Sequence, residues 1–183
     1  MEMDKVKFTA LFAAIIVIDQ ISKWYVFEIM LRVRDQAKGF VEWMTHTQTI
    51  ENTVSSLSQF QVIEVWPFFN LVAVWNTGVS FGLLQGAPDF MPFLLTVFAA
   101  LMSVGIFIWG QRATHPLEKY AALMISAGAL GNAMDRFRFK AVADFVDLHV
   151  NGYHWPAFNV ADAAIVLGAG LLIVYILFVP TSH

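Results

Sequence analysis

The most prominent feature of the chain is a set of four apolar stretches, each about as long as a membrane-crossing helix. They cover roughly residues 8–27, 90–110, 117–137 and 158–179. A helix needs about 20 residues to cross about 30 Å of hydrocarbon, and in a bilayer only internally hydrogen-bonded segments are stable. Small residues recur in the third and fourth stretches, where they would let helices pack closely. The pattern predicts an all-α membrane protein with four transmembrane helices in one domain, residues 1–183.

The segments between these helices differ in character. A long segment, about 28–89, separates the first two helices, and its polar middle at 45–59 predicts a loop. The part that follows is rich in Val, Phe and Trp and is divided by turn residues, which predicts a few short strands and no further helix. With four helices, this segment and the connector at 138–156 lie on one side of the membrane, and both termini lie on the other.

The start of the chain has two interpretations. Lys5 and Lys7, followed by an apolar run, resemble the beginning of a cleavable signal peptide. Asp19, Lys23 and two aromatic residues then stand where a small-residue cleavage site would be needed, so we expect an uncleaved helix. Asp19 and Lys23 are four residues apart with the acid first, a spacing at which they can pair on one helix face and neutralise each other.

Composition agrees with a membrane protein and excludes several kinds of chemistry. Hydrophobic residues make up 58% of the 183-residue chain and charged residues only 14%, whereas an ordinary soluble domain is about 25% charged. The mean hydropathy is +0.62. A net charge of -3 without a basic run gives no support for nucleic-acid binding. The absence of Cys excludes disulfides, thiolate metal sites and a cysteine nucleophile. The His residues lack a metal-binding spacing, so we expect neither a metal nor a cofactor.

The basic residues give conflicting indications of orientation. Near the helix ends they are Lys5, Lys7, Arg112 and Lys119 on the side of the termini, and Arg32, Arg34, Lys38, Arg136, Arg138 and Lys140 on the side of the loops. Because Lys and Arg concentrate in cytoplasmic loops, this count favours loops in the cytoplasm. The bias is modest, and loop-side arginines that belong to a site would not count, so the orientation stays open on this evidence.

A serine in the long segment matches a hydrolase pattern by coincidence. Residues 78–82 read GVSFG, the G-x-S-x-G pattern of a nucleophile elbow centred on Ser80. That elbow needs a sharp strand-to-helix turn on an α/β-hydrolase sheet. The predicted strands are too few for such a sheet, so we expect Ser80 to be a small sheet residue.

Polar side chains, which are costly near a membrane, cluster where the third helix ends and the fourth begins. The cluster contains Asn132, Asp135, Arg136, Asp144, Asp147, Asn159 and Asp162. Asp162 falls in the first turn of the fourth helix and Asp144 just past the end of the third, so antiparallel neighbours would bring the two together. Paired carboxylates that share a proton can divide the roles of acid and base, which permits hydrolysis without a covalent intermediate. We expect Asp147 to be solvated at the interface.

These residues also have structural interpretations that the pattern leaves open. Asn159 and Asp162 fit an N-terminal helix cap with an acid at its third position, where the helix dipole favours negative charge. Asp135 can pair with Arg136 or with Arg138.

Five short motifs in a fixed order point to one family. They are Asp19-Gln20-x-x-Lys23, Asn76-Thr77-Gly78-x-x-Phe81-Gly82, Gly131-Asn132-x-x-Asp135-Arg136, Val142-Ala143-Asp144-Phe145 and Phe158-Asn159-Val160-Ala161-Asp162. Each is weak alone, but together, on four apolar helices, they resemble signal peptidase II, the lipoprotein signal peptidase of bacteria. The resemblance covers about residues 19–167. A minor departure is Ala143, where a second Val is common.

The resemblance implies an intramembrane aspartyl protease of the bacterial inner membrane, with four transmembrane helices and both termini in the cytoplasm. A small β-sheet, about 68–84 here, would lie on the outer membrane face. The enzyme would remove signal peptides from diacylglyceryl-modified prolipoproteins and cut before the lipidated Cys. Asp144 and Asp162 would be the catalytic pair, near the outer leaflet. The other positions would be Asn76, Asn132, Arg136 and Asn159 lining the active site, and Asp19, Lys23 and Asp135 as structural supports.

The segment at about 32–65 is longer than this family resemblance implies. It is either a periplasmic elaboration that shapes substrate access or a disordered loop. The expected partners are prolipoprotein substrates and membrane lipid, and the expected state is a monomer. Aromatic residues expected to anchor the protein at the membrane interface are Trp66, Trp75, Tyr153 and Trp155.

Two functions of other classes compete with the peptidase. Intramembrane carboxylates also occur in ion- or proton-coupled transporters, although the acids here lie near helix ends and no inverted repeat is visible. A noncatalytic scaffold for membrane lipoproteins would tolerate Asp→Asn at both Asp144 and Asp162.

Overall fold

The structure, a computed structural model, describes residues 4–33, 37–78 and 90–179. In chain order its elements are α1 (Lys5–Trp24), a π-helical continuation (Tyr25–Leu31), α2 (Phe40–Thr45), α3 (Ile50–Ser55), a 3₁₀ turn (Ser56–Gln59), β1 (Ile63–Trp66), β2 (Phe69–Asn76), α4 (Met91–Arg112), α5 (Pro116–Phe139), β3 (Val142–Val150), β4 (Tyr153–His154) and α6 (Val160–Phe178).

The four long helices lie where the apolar stretches predict them. Within the described residues, three helical segments are long and apolar enough to cross a membrane, namely Lys5–Leu31, Phe93–Arg112 and Val160–Phe178. Helix α5 has 24 residues, enough length to cross, but charged residues near both of its ends lower its apolar character. The structure therefore agrees with a mostly helical membrane protein, and a crossing by α5 stays a prediction.

Helix α5 is the centre of the bundle and packs against α1, α4 and α6. Its buried face is made largely of small residues, among them Ala121, Ala127 and Gly128. A Cβ atom on Gly128 would lie 2.4 Å from the backbone oxygen of Ala161 in α6. Small side chains thus let the backbones of α5 and α6 approach closely, as is usual between membrane helices.

A four-stranded antiparallel sheet, in the order β1-β2-β3-β4, covers the end of the bundle where α5 stops. The strands predicted after residue 60 are confirmed as β1 and β2. Strand β3 follows α5 almost directly, because Lys140 ends the helix in a left-handed conformation with φ 60°. Its pairing with β2, in which Val74 lies opposite Asp144, joins the connector between α1 and α4 and the connector between α5 and α6 in one sheet.

Beneath the sheet lies an aromatic core formed by Phe27, Trp43, Trp75 and Phe139, all buried. The rings are close, with centroids 4.9 Å apart for Phe27 and Trp75 and 4.8 Å apart for Trp43 and Phe139. The prediction that Trp75 anchors the protein at the membrane interface is therefore wrong, because its ring fills this core. The other predicted anchors are exposed: Trp66, Tyr153 and Trp155.

The prediction that residues 45–59 form a loop is also wrong. Most of that segment forms α3 and the 3₁₀ turn, and its start belongs to α2. The Thr49 side chain caps α3 by accepting a hydrogen bond from the backbone of Asn52 at 3.3 Å. The hydroxyl of buried Thr53 donates to the backbone oxygen of Phe139 at 2.6 Å. These contacts hold the long segment as an ordered layer on the bundle, so of its two interpretations the disordered loop is excluded for residues 37–65.

We expect Gly128→Ala to lower the free energy of unfolding by about 1–3 kcal/mol, because its new methyl group overpacks the contact between α5 and α6. Gly170→Ala is the matched control, since a Cβ atom there would meet no atom within 4 Å. The control should leave stability unchanged or raise it by up to about 1 kcal/mol. Thermal unfolding of both variants in one detergent measures the difference. Equal stability of the two would contradict the close packing.

Candidate active site

Asp144 and Asp162 face one region, although they come from different kinds of element. Asp144 is on β3 and almost fully buried, and Asp162 lies in the first turn of α6. Asn159 links the two: its Nδ2 donates to Asp144 Oδ1 at 2.7 Å, and its backbone nitrogen donates to Asp162 Oδ2 at 3.2 Å. The predicted helix cap is also present, because Asn159 Oδ1 accepts from the backbone nitrogen of Asp162 at 2.9 Å. The cap and the carboxylate pair are therefore parts of one arrangement.

Two further asparagines complete the donors around the carboxylates. Asn132 Nδ2 on α5 donates to Asp162 Oδ1 at 2.8 Å, and Asn76 Nδ2 at the end of β2 donates to Asp144 Oδ2 at 3.2 Å. Asn76 is itself oriented, since its Oδ1 accepts from the backbone nitrogen of Gly78 at 3.2 Å. Each carboxylate thus receives side-chain or backbone N–H groups on both of its oxygens.

Arg136 brings a positive charge to the same region. One of its terminal nitrogens donates to the backbone oxygen of Gly78 at 3.0 Å. The guanidinium also interacts electrostatically with Asp162, Asp135 and Asp144. It is therefore a cation held beside the aspartates, and its buried Nε has no acceptor among the described residues.

Behind the site lies a buried ionic cluster centred on Lys23 of α1. Lys23 Nζ is 2.8 Å from Asp19 Oδ2 and 2.7 Å from Asp135 Oδ2, and all three side chains are almost completely buried. Lys23 also donates to Asn132 Oδ1 at 3.2 Å. The predicted pairing of Asp19 with Lys23 is confirmed, and Asp135 of α5 is a second partner. Through Asn132, the cluster reaches the hydrogen bonds of Asp162.

The two carboxylates of this cluster also hold the backbone next to each candidate catalytic residue. Asp19 Oδ1 accepts from the backbone nitrogen of Ala161 at 2.9 Å, and Asp135 Oδ2 accepts from that of Ala143 at 3.3 Å. Ala161 and Ala143 directly precede Asp162 and Asp144. The ionic cluster thus fixes the positions of both aspartates through the main chain.

Arg138 closes the cluster on its other side. It donates to Asp135 Oδ1 at 3.0 Å and to the side-chain oxygen of Gln20, so Asp135 pairs with Arg138 among its two predicted partners. Gln20 in turn donates to Asp19 and to Asp135, both at 3.0 Å. The role of Gln20 was not predicted. Its signal in the sequence is slight: an amide inside an apolar helix, beside Asp19, needs buried partners.

Burial raises the pKa of Asp144 to about 8, and the charge of nearby Asp162 raises it as well. The charge of Lys23 and the hydrogen bonds from Asn76 and Asn159 act in the opposite direction but do not outweigh these effects. Asp162 is only partly buried, and it lies at a helix N-terminus, where the helix dipole stabilises negative charge. The two carboxyl groups therefore have different environments, and Asp144 holds a proton at neutral pH.

The prediction that Asp147 is solvated is wrong, and the prediction for Ser80 falls outside the described residues. Asp147 is not solvated: it is buried and accepts hydrogen bonds from Asn70 at 3.0 Å and from His154 at 2.9 Å. Asn70 lies directly opposite it on β2, and the two neighbouring side chains, Asn70 and His154, supply its hydrogen bonds. Ser80 lies outside the described residues, as does the end of the predicted sheet near residue 84.

A family model described as signal peptidase (SPase) II matches residues 11–178, nearly the whole chain. The chain belongs to the signal peptidase II family. The lipoprotein signal peptidase of Alteromonas mediterranea is 39% identical over 135 residues, which cover 73% of this chain and 71% of that protein. The lipoprotein signal peptidase of a Sulfurihydrogenibium species is 42% identical over 123 residues, 64% of this chain and 76% of that protein.

Solved structures of bacterial membrane enzymes share the fold. One, at 2.3 Å resolution, superposes with a TM-score of 0.67 and covers 93% of this chain and 87% of its own at 22% identity, a level that supports the fold alone. A second, at 1.9 Å resolution, has a TM-score of 0.62 and 26% identity over 94% of each chain. Membership in the signal peptidase II family makes the protein a multi-pass membrane peptidase and favours neither the transporter nor the scaffold.

Proposed function

We propose that this signal peptidase II is an aspartic endopeptidase with Asp144 and Asp162 as its catalytic residues. It removes signal peptides from prolipoproteins, and the proposed substrates are diacylglyceryl-modified chains cut just before the lipidated Cys. The observation that carries the proposal is the joining of the two carboxyl groups through Asn159 in unequal environments. A buried acid that keeps its proton beside a second, ionised acid is the arrangement that acid–base hydrolysis requires.

In the proposed reaction, ionised Asp162 accepts a proton from a water molecule as the water oxygen bonds to the scissile carbonyl carbon. Protonated Asp144 donates its proton to the carbonyl oxygen, which gives a neutral tetrahedral diol. The carbon–nitrogen bond then breaks, the proton on Asp162 passes to the leaving amine, and Asp144 recovers a proton from one diol hydroxyl. Both carboxyl groups end in their starting states. Because water attacks the carbonyl carbon directly, no covalent intermediate with the enzyme is formed.

The neighbouring polar groups have supporting roles in this proposal. The Arg136 Nε, which has no acceptor within the described residues, is available for a substrate carbonyl. Asn132 and Asn159 orient Asp162 and Asp144 by donating to their oxygens. Asn76 orients Asp144 as well, by donating to its second carboxylate oxygen. Donors fixed in advance around developing charge are the usual means by which such sites stabilise a transition state.

The proposed orientation has both termini in the cytoplasm of a bacterial inner membrane, four crossing helices including α5, and the active site near the outer leaflet. The basic residues on the loop side oppose this orientation less than their number suggests. Arg32 is paired with Glu28 at 2.5 Å, Arg138 is paired with Asp135, and Arg136 lies among the site carboxylates. Their charges are neutralised inside the fold, so they contribute little to the positive-inside bias.

We expect Asp144→Asn and Asp162→Asn each to lower kcat for a diacylglyceryl-modified prolipoprotein by about a thousandfold or more, because each removes one proton-transfer group. Asp147→Asn is the matched control, since Asp147 is a buried carboxylate of the same strand as Asp144 whose hydrogen-bond partners, within the described residues, are Asn70 and His154. Cleavage by detergent-purified proteins, with unfolding curves for each, measures the effect. Full activity of either dyad variant would contradict the mechanism.

The pH dependence of kcat tests the division of roles. Asp144 acts in its protonated form, and its pKa is about 8. We therefore expect kcat to be retained at neutral pH and to fall above about pH 8, by about tenfold per pH unit once the proton is lost. The assay follows cleavage from neutral to alkaline pH at saturating substrate. An activity that rises through pH 8 would instead make Asp144 the base.

A further inference from the structure

Arg138 is a buried cation that contacts two parts of the fold at once. It is the last residue but one of α5, and only 5% of it is exposed. Its Nη2 donates to Asp135 Oδ1 at 3.0 Å, and its Nη1 donates to the backbone oxygen of Trp43 at 3.0 Å. A guanidinium can hold two such partners because its N–H groups form a rigid planar fork, whereas the ammonium of lysine is a compact point charge. The side chain therefore bridges the buried ionic cluster and α2.

The contact with Trp43 completes the end of a short helix. Trp43 lies in the last turn of α2, where the backbone carbonyl groups have no partner inside the helix. Arg138 supplies that partner, and its positive charge also suits the negative end of the helix dipole. The guanidinium carbon lies 5.9 Å from the centre of the Trp43 ring and 4.6 Å from that of Phe139, within the range of cation–π attraction. A helix of 6 residues is only marginally stable alone, so these contacts fix where α2 ends.

The backbone of Arg138 holds the next part of the same segment. Its carbonyl oxygen accepts from the backbone nitrogen of Gln48, in the connector between α2 and α3, at 2.9 Å. Thr53 of α3 donates to the neighbouring carbonyl oxygen, that of Phe139. Two consecutive residues of α5 thus anchor both short helices. The segment that is longer than the family resemblance implies is therefore attached at the residue that also pairs with Asp135.

From Arg138 the contacts continue to a proposed catalytic residue. Asp135 accepts from Arg138 through Oδ1 at 3.0 Å and from the backbone nitrogen of Ala143 through Oδ2 at 3.3 Å. Ala143 directly precedes Asp144 on β3. One guanidinium and one carboxylate therefore link the carbonyl of Trp43 in α2 to the main chain beside Asp144.

The second proposed catalytic residue is held by a different acid. The amide of Ala161, which precedes Asp162, donates to Asp19 at 2.9 Å. Within the described residues, the hydrogen bonds that lead from Arg138 to Asp19 pass through the side chain of Gln20, which accepts from the first and donates to the second. A change at Arg138 should therefore affect the backbone of β3 more than the start of α6.

We propose that Arg138 is a positioning residue for the peptidase reaction, and that it couples the position of α2 to that of Asp144. The inference rests on the proposed function, in which Asp144 donates a proton to the scissile carbonyl. When α2 is in place, the fork of Arg138 holds Asp135 in the orientation that binds the amide of Ala143. The segment formed by α2 and α3 is then part of the catalytic apparatus, and its position determines kcat.

Arg138→Lys tests the coupling, because it keeps the charge and removes the fork. The lysine amine can stay with Asp135, but it cannot also hold the carbonyl of Trp43. We expect kcat for a diacylglyceryl-modified prolipoprotein to fall about tenfold and KM to stay within about twofold, because the substrate contacts are unchanged and the acid is misplaced. In hydrogen exchange measured by NMR, the amide of Ala143 should lose protection by about three- to tenfold, and that of Ala161 by less than about twofold.

Thr53→Val is the matched control, since it removes another contact of the same segment with the end of α5 and leaves those of Arg138 in place. The loss of one hydrogen bond should lower the temperature of unfolding by about 2–4 °C. The kcat, the KM and the protection of Ala143 should match wild type. If Thr53→Val lowered kcat as much as Arg138→Lys does, loss of stability alone would explain both effects, and the proposal would be overturned.

Trp24→Phe reaches α2 from its other end and leaves every charged residue of the cluster unchanged. The Trp24 Nε1 donates to the backbone oxygen of Lys38, just before α2, at 2.8 Å. Removal of this anchor should lower the protection of Ala143 about two- to threefold. Unchanged protection of Ala143 in this variant would overturn the proposal, as would full kcat in Arg138→Lys or equal losses of protection at Ala143 and Ala161. Failure of the proposed function has a different signature, because wild type would then cleave no substrate while the exchange measurements would still report the coupling.

Discussion

Lys23 is buried between the carboxylates of Asp19 and Asp135, and the rest of the structure depends on that contact. Three charges almost without exposure to solvent would be very costly if any were unpaired. Arg138 supplies a second cation to Asp135, so the charges of two carboxylates are matched by the charges of two cations inside the fold. The cluster joins α1 to α5 by ionic contacts in a bundle where the hydrophobic effect does little to hold helices together. Loss of one member of a buried pair commonly costs about 3–5 kcal/mol.

This cluster also connects the stability of the protein to the geometry of its site. Asp19 accepts from the amide of Ala161 through the oxygen that does not contact Lys23. Asp135 accepts from the amide of Ala143 through the same oxygen that contacts Lys23. Each of these amides is one residue before a proposed catalytic aspartate. The ionic cluster therefore positions the backbone of two different elements, β3 and α6. Asn159 then joins the two side chains directly, and it caps α6 at the same time. The capping interpretation and the catalytic interpretation of these residues are compatible because both need the same rigid helix start.

Features that depend on local pattern could be predicted from the sequence. The long helices follow from apolar length, the pairing of Asp19 with Lys23 from their spacing, and the position of Asp162 from the capping motif. Features that depend on distant partners could not. Helix α3 is held by a hydrogen bond from Thr53 to a backbone oxygen at the end of α5, and nothing near Thr53 indicates it. Strand β3 begins with four consecutive buried residues, so it lacks the alternation that marks a strand.

The most direct test of the central role of Lys23 is hydrogen exchange at the amides of Ala143 and Ala161, measured by NMR on alanine-labelled protein. In Lys23→Met both amides should lose protection by about tenfold or more, because the carboxylates that accept from them are no longer held. The amide of Ala113, which bonds to Trp109 at 3.0 Å at the other end of the bundle, should not change. Lys7→Met is the control variant, because the ion pair of Lys7 with Asp4 is long, at 3.8 Å, and both side chains are exposed to solvent. This variant should behave as wild type. Unchanged protection of Ala143 and Ala161 in Lys23→Met would contradict the conclusion that the buried cluster positions the catalytic aspartates.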